Sequence, residues 1–133
     1  MIPDARTGGP AALDCLEDHC RAAGLAEPIV LDLRVVGEEV LTNLAKYGFE
    51  PGEAPATELL LSFTEDAAVL EFRDQGRTFD PLGQPPPDLD APLAERSVGG
   101  LGLILLRALV DEATYAREGT MNVLRLVKRR GAE

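Results

Sequence analysis

The feature that most constrains the fold of this chain is the spacing of apolar residues between Pro28 and Gly48. They recur at steps of three and four positions, which is the period of an α-helix that buries one face. Pro28 is typical of a first helical turn, and Gly48 is typical of a helix end. A helix with one long apolar face needs a sheet or other helices to cover that face. The apolar face consists of Ile29, Leu33, Val36, Val40, Leu44 and Tyr47.

The residues before this helix predict a tail followed by another helix. Residues 1–10 are expected to form a flexible tail, because they end in two glycines and a proline. A helix is expected from about Ala11 to Ala23, where the following Gly24 is a typical stop signal. Its inner face would consist of Leu13, Leu16 and Cys20.

Alternating apolar residues later in the chain predict two β-hairpins. The first would pair residues 57–63 with residues 67–73, and the second would pair residues 113–117 with residues 121–128. Between the hairpins, five of the ten prolines of the chain lie from Pro81 to Pro92. This density excludes a regular helix or strand, so the segment is expected to be a long loop.

The order of these elements predicts an α+β fold. A third helix is expected at about residues 101–112, so the order is helix, helix, strand, strand, loop, helix, strand, strand. Elements in this order form a two-layer α/β sandwich, in which helices cover one face of a mixed, mostly antiparallel sheet. The sequence contains no repeat and no domain boundary, and we expect one domain over residues 11–133.

Composition and charge exclude several classes of function. The net charge of −10 argues against sequence-independent binding to DNA or RNA, which requires clustered cations. No apolar run reaches the length of a membrane-spanning helix, and the first residues lack the apolar core of a signal peptide. A cytoplasmic location is therefore expected, without membrane association.

Three polar residues share one line along the long helix. Glu39, Asn43 and Lys46 lie at positions i, i+4 and i+7, about 60° around the helix from the buried face. An amide oxygen suits Mg²⁺, which takes few protein ligands and many phosphate oxygens and waters. A carboxylate nearby could accept a proton from a hydroxyl close to a phosphate. The alternative is a solvated line on an amphipathic helix, in which Glu39 pairs with Lys46 or with nothing.

A second candidate group follows the first hairpin, where Asp74 ends a strand and Gly76 comes two residues later. An acid at a strand end can accept a hydrogen bond from an exocyclic amine, and glycine lets a flat base approach the backbone. The alternative interpretation is that Asp74-Gln75-Gly76 forms an ordinary turn.

A third candidate group is Gly99-Gly100-Leu101-Gly102, which precedes the apolar residues 103–110. Glycines at the start of a helix let backbone N–H groups converge on an anion. Arg96, just before the glycines, is a further candidate for a phosphate contact. The spacing is neither that of a Walker loop nor, without a preceding strand, that of a dinucleotide-binding fingerprint. The alternative is a glycine-rich turn that serves packing alone.

In this order and spacing, the three groups resemble the conserved boxes of the Bergerat ATP-binding fold, the GHKL superfamily of gyrase, Hsp90, histidine kinases and MutL. Within that superfamily, the chain most resembles the small bacterial anti-sigma factor serine/threonine kinases of the RsbW/SpoIIAB type. Such relatives usually begin with a strand, for which this chain offers little sequence. The closer likeness is carried by Glu38-Glu39-Val40-Leu41-Thr42-Asn43, Phe79-Asp80-Pro81, Gly99-Gly100-Leu101-Gly102-Leu103 and Val110-Asp111-Glu112.

The resemblance implies ATP and Mg²⁺ as cofactors and assigns roles to the candidate residues. Glu39 would be the catalytic base, Asn43 the Mg²⁺ ligand and Asp74 the reader of adenine. Gly76 would shape the base pocket, and residues 81–98 would form a lid over ATP. The other expected contacts to the nucleotide are Lys46, Arg96, Gly99, Gly100, Leu101 and Gly102.

The function that the resemblance implies is a Mg-ATP-dependent protein serine kinase that is also an anti-sigma factor. Its substrate would be an anti-anti-sigma protein of the STAS type, in a partner-switching pathway. A sigma factor and a second copy of this chain are further partners that the resemblance allows. Two alternatives stay open: a regulatory module that binds ATP without catalysis, and a switch kinase that does not bind a sigma factor.

Overall fold

The computed structural model describes residues 2, 4–47, 49, 52–76 and 108–130. The described strands form one antiparallel sheet in the order β1-β2-β4-β3. None of the described helices is long and apolar enough to cross a membrane. The named elements, in chain order, are α1 (Ala5–Ala22), α2 (Glu27–Tyr47), β1 (Glu58–Phe63), β2 (Ala67–Asp74), β3 (Glu112–Glu118) and β4 (Met121–Arg129).

The core lies between the two helices and one face of the sheet. In β2 and β4, Leu70 is paired with Leu126 and Phe72 with Leu124, so alternate side chains form one apolar face. These residues belong to the same buried cluster as the apolar face of α2, including Val36, which has no exposed surface. This arrangement confirms the predicted α+β sandwich, with helices on one face of a mostly antiparallel sheet.

Polar contacts connect the two layers at the C-terminal end of β4. The ammonium group of Lys128 lies 3.4 Å from a carboxylate oxygen of Asp32 on α2. Just beyond the strand, the guanidinium group of Arg130 donates to the carbonyl oxygen of Ala23, which follows α1. The end of β4 thus holds both helices close to the sheet.

Helix α1 begins earlier than the sequence predicts. It starts at Ala5 rather than near Ala11, so the expected flexible tail is helical from residue 5 onward. Asp4 caps the helix, because its carboxylate accepts a hydrogen bond of 2.9 Å from the backbone N–H of Arg6. Burial of Ala5 and Gly9 then outweighs the poor helix propensity of glycine and proline.

The start of the chain also contacts the sheet, through Ile2. Its backbone N–H and carbonyl groups form two hydrogen bonds with Thr57, of 2.7 and 3.0 Å, in an isolated antiparallel bridge. The Ile2 side chain is buried in the core cluster. This single bridge occupies the position at which the superfamily resemblance implies a first strand.

The later elements agree with the sequence, except at the third helix. The described part of that helix is Ala108 and Leu109, and β3 begins at Glu112, so its predicted end at residue 112 is wrong. Glu112 is instead paired with Val127 of β4. Residues 77–107, which contain the predicted lid, Arg96 and the glycine-rich turn, lie outside the described residues.

Among the described glycines, Gly37 leaves the least room for a side chain between α1 and α2. A Cβ atom on Gly37 would lie 2.8 Å from a methyl carbon of Leu13, which is closer than two carbons pack. Arg34 connects the same helices, with a guanidinium nitrogen 2.7 Å from Asp14 and 3.2 Å from Glu17. A side chain at Gly37 would therefore force the buried Leu13 side chain to move.

We expect Gly37→Val to lower the free energy of unfolding by about 1–3 kcal/mol, because the new side chain would occupy space that Leu13 fills. Glu38→Val is the control: it places the same side chain at an exposed position of α2 and should change stability by less than about 0.5 kcal/mol. Urea denaturation measures both. Equal stability of the two variants would show that the helices can separate here without cost.

Candidate functional site

A pocket lies between the C-terminal half of α2 and the sheet, at the end of the sheet opposite Lys128. Its walls are mostly apolar, as is usual for sites that bind a small molecule. Three polar residues face it, one from α2 and one each from β2 and β4. The lining residues are Val40, Asn43, Leu44, Phe72, Asp74, Tyr115, Asn122 and Leu124.

Asp74 is held at the end of β2 by hydrogen bonds to only one of its carboxylate oxygens. Oδ1 accepts from the backbone N–H of Gly76 at 2.8 Å and from the side-chain amide of Asn122 at 3.0 Å. Among the described residues, none donates to Oδ2. The carboxylate therefore has a fixed orientation and one oxygen available to a ligand.

Gly76 fixes the turn that follows Asp74. Its carbonyl oxygen accepts from a guanidinium N–H of Arg117 at 2.9 Å and from the side-chain amide of Asn122 at 3.3 Å. Gly76 is buried but is not among the residues that line the pocket. The hydrogen bond from its N–H to Asp74 agrees with the turn interpretation, and a role in shaping a base pocket stays a prediction.

Asn43 faces the pocket from α2. Its residue is 7% exposed, and its amide makes no hydrogen bond with a described residue. The amide is therefore reached from the pocket, where its oxygen and its N–H groups can meet a ligand.

Glu39 and Lys46 share the helix line with Asn43 but do not line the pocket. Glu39 is half-buried, one helical turn before Asn43, and forms no ion pair with a described residue. Lys46 is exposed and lines a separate groove between α1 and α2, together with Arg34 and Glu38. The structure therefore brings Asn43 and Asp74 to one pocket, with Gly76 next to Asp74 outside the lining. Glu39 lies one helical turn before Asn43, and Lys46 lies apart.

The remaining predicted contacts lie outside the described residues and stay predictions. They are Arg96, Gly99, Gly100, Leu101 and Gly102.

Sequence reasoning missed Asn122, which lies between Asp74 and the neighbouring strand. Asn122 is 5% exposed and is paired with Asp74 on β2 and with Arg117 on β3. A signal was available: in Met121-Asn122-Val123-Leu124, the asparagine alternates in phase with Leu124 and Leu126 and therefore points toward the core. A polar residue on the apolar face of a strand indicates a specific partner.

The residues of this site offer apolar contact and a hydrogen-bond acceptor to a ligand that carries an amine. Phe72 and Leu124 supply apolar contact, and the available oxygen of Asp74 can accept a hydrogen bond from the amine. The amide oxygen of Asn43, across the pocket, can take a hard cation or a polar group attached to the ring.

The comparison with protein families identifies this fold as an ATPase domain. The model of the family described as "Histidine kinase-like ATPase domain" matches residues 4–128, and the chain belongs to that family. Membership implies ATP binding.

Two protein kinases are similar to this chain over most of its length. The chain is 31% identical over 101 residues to the serine/threonine-protein kinase BtrW of Bordetella bronchiseptica, and the aligned region covers 76% of this chain and 71% of BtrW. It is 28% identical over 109 residues to the serine-protein kinase RsbW of Listeria monocytogenes, covering 77% of this chain and 68% of that protein. These likenesses confirm the resemblance to RsbW-type kinases that the sequence motifs indicate.

One solved structure supports the fold. The histidine kinase domain of the blue-light activated histidine kinase EL346 of Erythrobacter litoralis matches with a TM-score of 0.53 at 20% sequence identity. The match covers 77% of this chain and 45% of that structure, so this chain spans less than half of its length.

We expect opposite effects on stability from removing the two asparagines of the pocket, measured without nucleotide. Asn43→Leu should raise the free energy of unfolding by roughly 0.5–1 kcal/mol, because it removes an amide that lacks a described partner. Asn122→Leu should lower it by about 1–3 kcal/mol, because Asp74, Gly76 and Arg117 each lose one of their hydrogen bonds. Thermal and urea unfolding measure both. If both variants are destabilised equally, Asn43 has a structural role.

Proposed function

We propose that this protein is a Mg²⁺- and ATP-dependent protein serine/threonine kinase that acts as an anti-sigma factor. Its substrate would be a STAS-type anti-anti-sigma protein in a partner-switching pathway. The observation that carries the proposal is that Asn43 and Asp74 present available polar groups to one apolar pocket. BtrW and RsbW are named as serine or serine/threonine kinases, which supports a hydroxyl group as the acceptor of the phosphate.

Adenine would occupy the pocket between α2 and the sheet. The Oδ2 atom of Asp74 would accept a hydrogen bond from the exocyclic amine, a charged hydrogen bond worth about 1.5–3 kcal/mol. Phe72 and Leu124 would pack near the ring, and the absence of a side chain on Gly76 would leave room for its edge.

Asn43 fits the requirements of a Mg²⁺ ligand. Its amide oxygen is a hard donor, it is almost fully buried, and no described residue occupies it. The described residues contain no cluster of three histidine, cysteine or acidic side chains that could hold a metal. One amide is nevertheless sufficient, since Mg²⁺ retains waters and takes phosphate oxygens. When bound, Mg²⁺ supplies positive charge that stabilises the transferring phosphoryl group.

Glu39 would act as the general base. It lies one helical turn before Asn43, about 6 Å along the helix axis, and no described cation neutralises its carboxylate. Its carboxylate would take the proton of the serine hydroxyl while the hydroxyl oxygen bonds to the γ-phosphorus. The bond from that phosphorus to the bridging oxygen breaks, and ADP leaves with its electron pair.

We expect Glu39→Gln to bind ATP nearly as well as the parent protein but to transfer phosphate about 10²–10⁴-fold more slowly. Asn43→Ala should lose both turnover and the Mg²⁺-dependent part of its ATP affinity, because it removes the metal ligand. The measurements are calorimetry with ATP and transfer of label from γ-labelled ATP to STAS-type proteins of the same genome.

Glu38→Gln is the matched control for this experiment. It removes the adjacent carboxylate of α2, which is exposed and lines the groove between the helices, and it should leave the transfer rate unchanged. Full kinase activity of Glu39→Gln would assign Glu39 to the solvated helix face. ATP binding by the parent protein without transfer to any STAS protein would favour the non-catalytic module.

The anti-sigma part of the proposal makes a separate prediction. Because the chain carries a net charge of −10, association with a basic surface of a sigma factor should slow as ionic strength rises. Pull-down from the native cell with ATP, with ADP and without nucleotide identifies the partner, and stopped-flow mixing measures the salt dependence. If no nucleotide state enriches a sigma factor, the chain is a switch kinase without an anti-sigma role.

A further inference from the structure

We propose that Asn122 is a positioning residue that makes the pocket select adenine over guanine, by holding the plane of the Asp74 carboxylate so that one of its two equivalent oxygens faces the base. The inference rests on the proposed nucleotide site and concerns its specificity. Asn122 itself lies beside Asp74, on the adjacent inner strand β4, and is almost fully buried.

The orientation of the Asn122 amide follows from its donors. Its Oδ1 accepts from the hydroxyl group of Tyr115 and, at 3.0 Å, from a guanidinium N–H of Arg117. A guanidinium group can only donate, so this side of the amide must be its oxygen. The Nδ2 group is therefore directed to the other side, where it donates to Asp74 at 3.0 Å and to the carbonyl oxygen of Gly76 at 3.3 Å.

The amide in turn fixes the carboxylate of Asp74. With N–H groups from both Gly76 and Asn122, Oδ1 has two donors, and rotation of the carboxylate would break both hydrogen bonds. Oδ2 is left to the pocket as a hydrogen-bond acceptor. Adenine presents an amine there, whereas guanine presents a carbonyl oxygen, and two facing acceptors repel each other.

Asn122 also joins Asp74, the residue that would select the base, to the neighbouring strand β3. In the strand register it lies between Asp74 on β2 and Arg117 on β3, so one amide of β4 holds groups from two neighbouring strands. Without it, Asp74 would keep the donor on Gly76 but could turn about its side-chain bond. The affinity for an amine should fall, and the exclusion of a carbonyl oxygen should weaken, although the pocket would remain.

A purely structural role for Asn122 makes a different prediction. A buried amide that only joined strands would, when removed, weaken every ligand of the pocket to a similar extent. The ratio of affinities for two bases that differ only in the amine separates the two roles, because loss of stability does not change it.

The test measures the affinity of the full chain for ATP, GTP and purine riboside triphosphate, which lacks the exocyclic amine. We expect Asn122→Ala to reduce ATP affinity on the order of tenfold and to reduce affinity for the analogue by less than about twofold. GTP should gain relative to ATP. In Asp74→Ala, the further change Asn122→Ala should have little effect on the preference for ATP, because both residues act through the same contact.

Two additional variants control for folding and for position. Tyr115→Phe removes a single donor to the Asn122 oxygen, while Arg117 still holds the amide; it should lower the preference for ATP in the same direction but by less. Thr114→Ala changes the neighbouring residue of β3, which is exposed, and should leave all affinities unchanged. If Asn122→Ala does not fold, the preference measured in Tyr115→Phe decides.

The outcomes separate this inference from the proposed function. An unchanged ratio of ATP to analogue affinity in Asn122→Ala and Tyr115→Phe, in a protein that binds ATP, would overturn the positioning role alone. A parent protein that binds none of the three nucleotides would overturn the adenine site and this inference together. A ratio that falls in Asn122→Ala, with Thr114→Ala unchanged, supports the inference.

Discussion

The packing of α2 against β2 and β4 is the interaction on which the rest of this structure depends. Burial of Val36 and Val40 against the same cluster as Leu70 and Phe72 fixes both the height and the rotation of the helix. A helix held in this rotation places Asn43 on the helix side of the pocket, while the strand register places Asp74 on the sheet side. No hydrogen bond joins the two residues, so it is the apolar packing that brings them to the same pocket.

The helix–sheet packing could be predicted because periodicity alone encodes it. The apolar face of α2 and the alternation in both hairpins depend on local spacing, and the structure agrees with them to within a few residues. The start of α1 could not be predicted in this way. Gly8, Gly9 and Pro10 have poor helix propensity, and only the Asp4 cap and contacts with distant parts of the chain make them helical.

The candidate site was predictable to the same extent. Asp74 and Asn43 were equally compatible with a turn and with a solvated helix line, respectively, and only the order and spacing of three motifs, through the family resemblance, singled them out. The structure places both at one pocket, and their roles stay predictions. Asn122 could not be assigned a role, because its importance depends on a register that pairs it with a residue 48 positions earlier in the chain. Lys46 shows the opposite case: three positions after Asn43, it lies about 60° around the helix, on the side of Thr42 and Ala45, and with them it lines the groove with α1.

The contacts of Lys128 and Arg130 have a mechanical consequence for the pocket. They tie both helices to the sheet at the C-terminal end of β4, whereas the pocket lies at the N-terminal end of that strand. The polar contacts that we describe between the layers therefore lie at one end of β4, and the pocket lies at the other. A ligand in the pocket would contact α2 and the sheet at once and would stabilise the last turns of α2, which these polar contacts do not reach. Such a ligand should slow amide hydrogen exchange in those turns more than in α1.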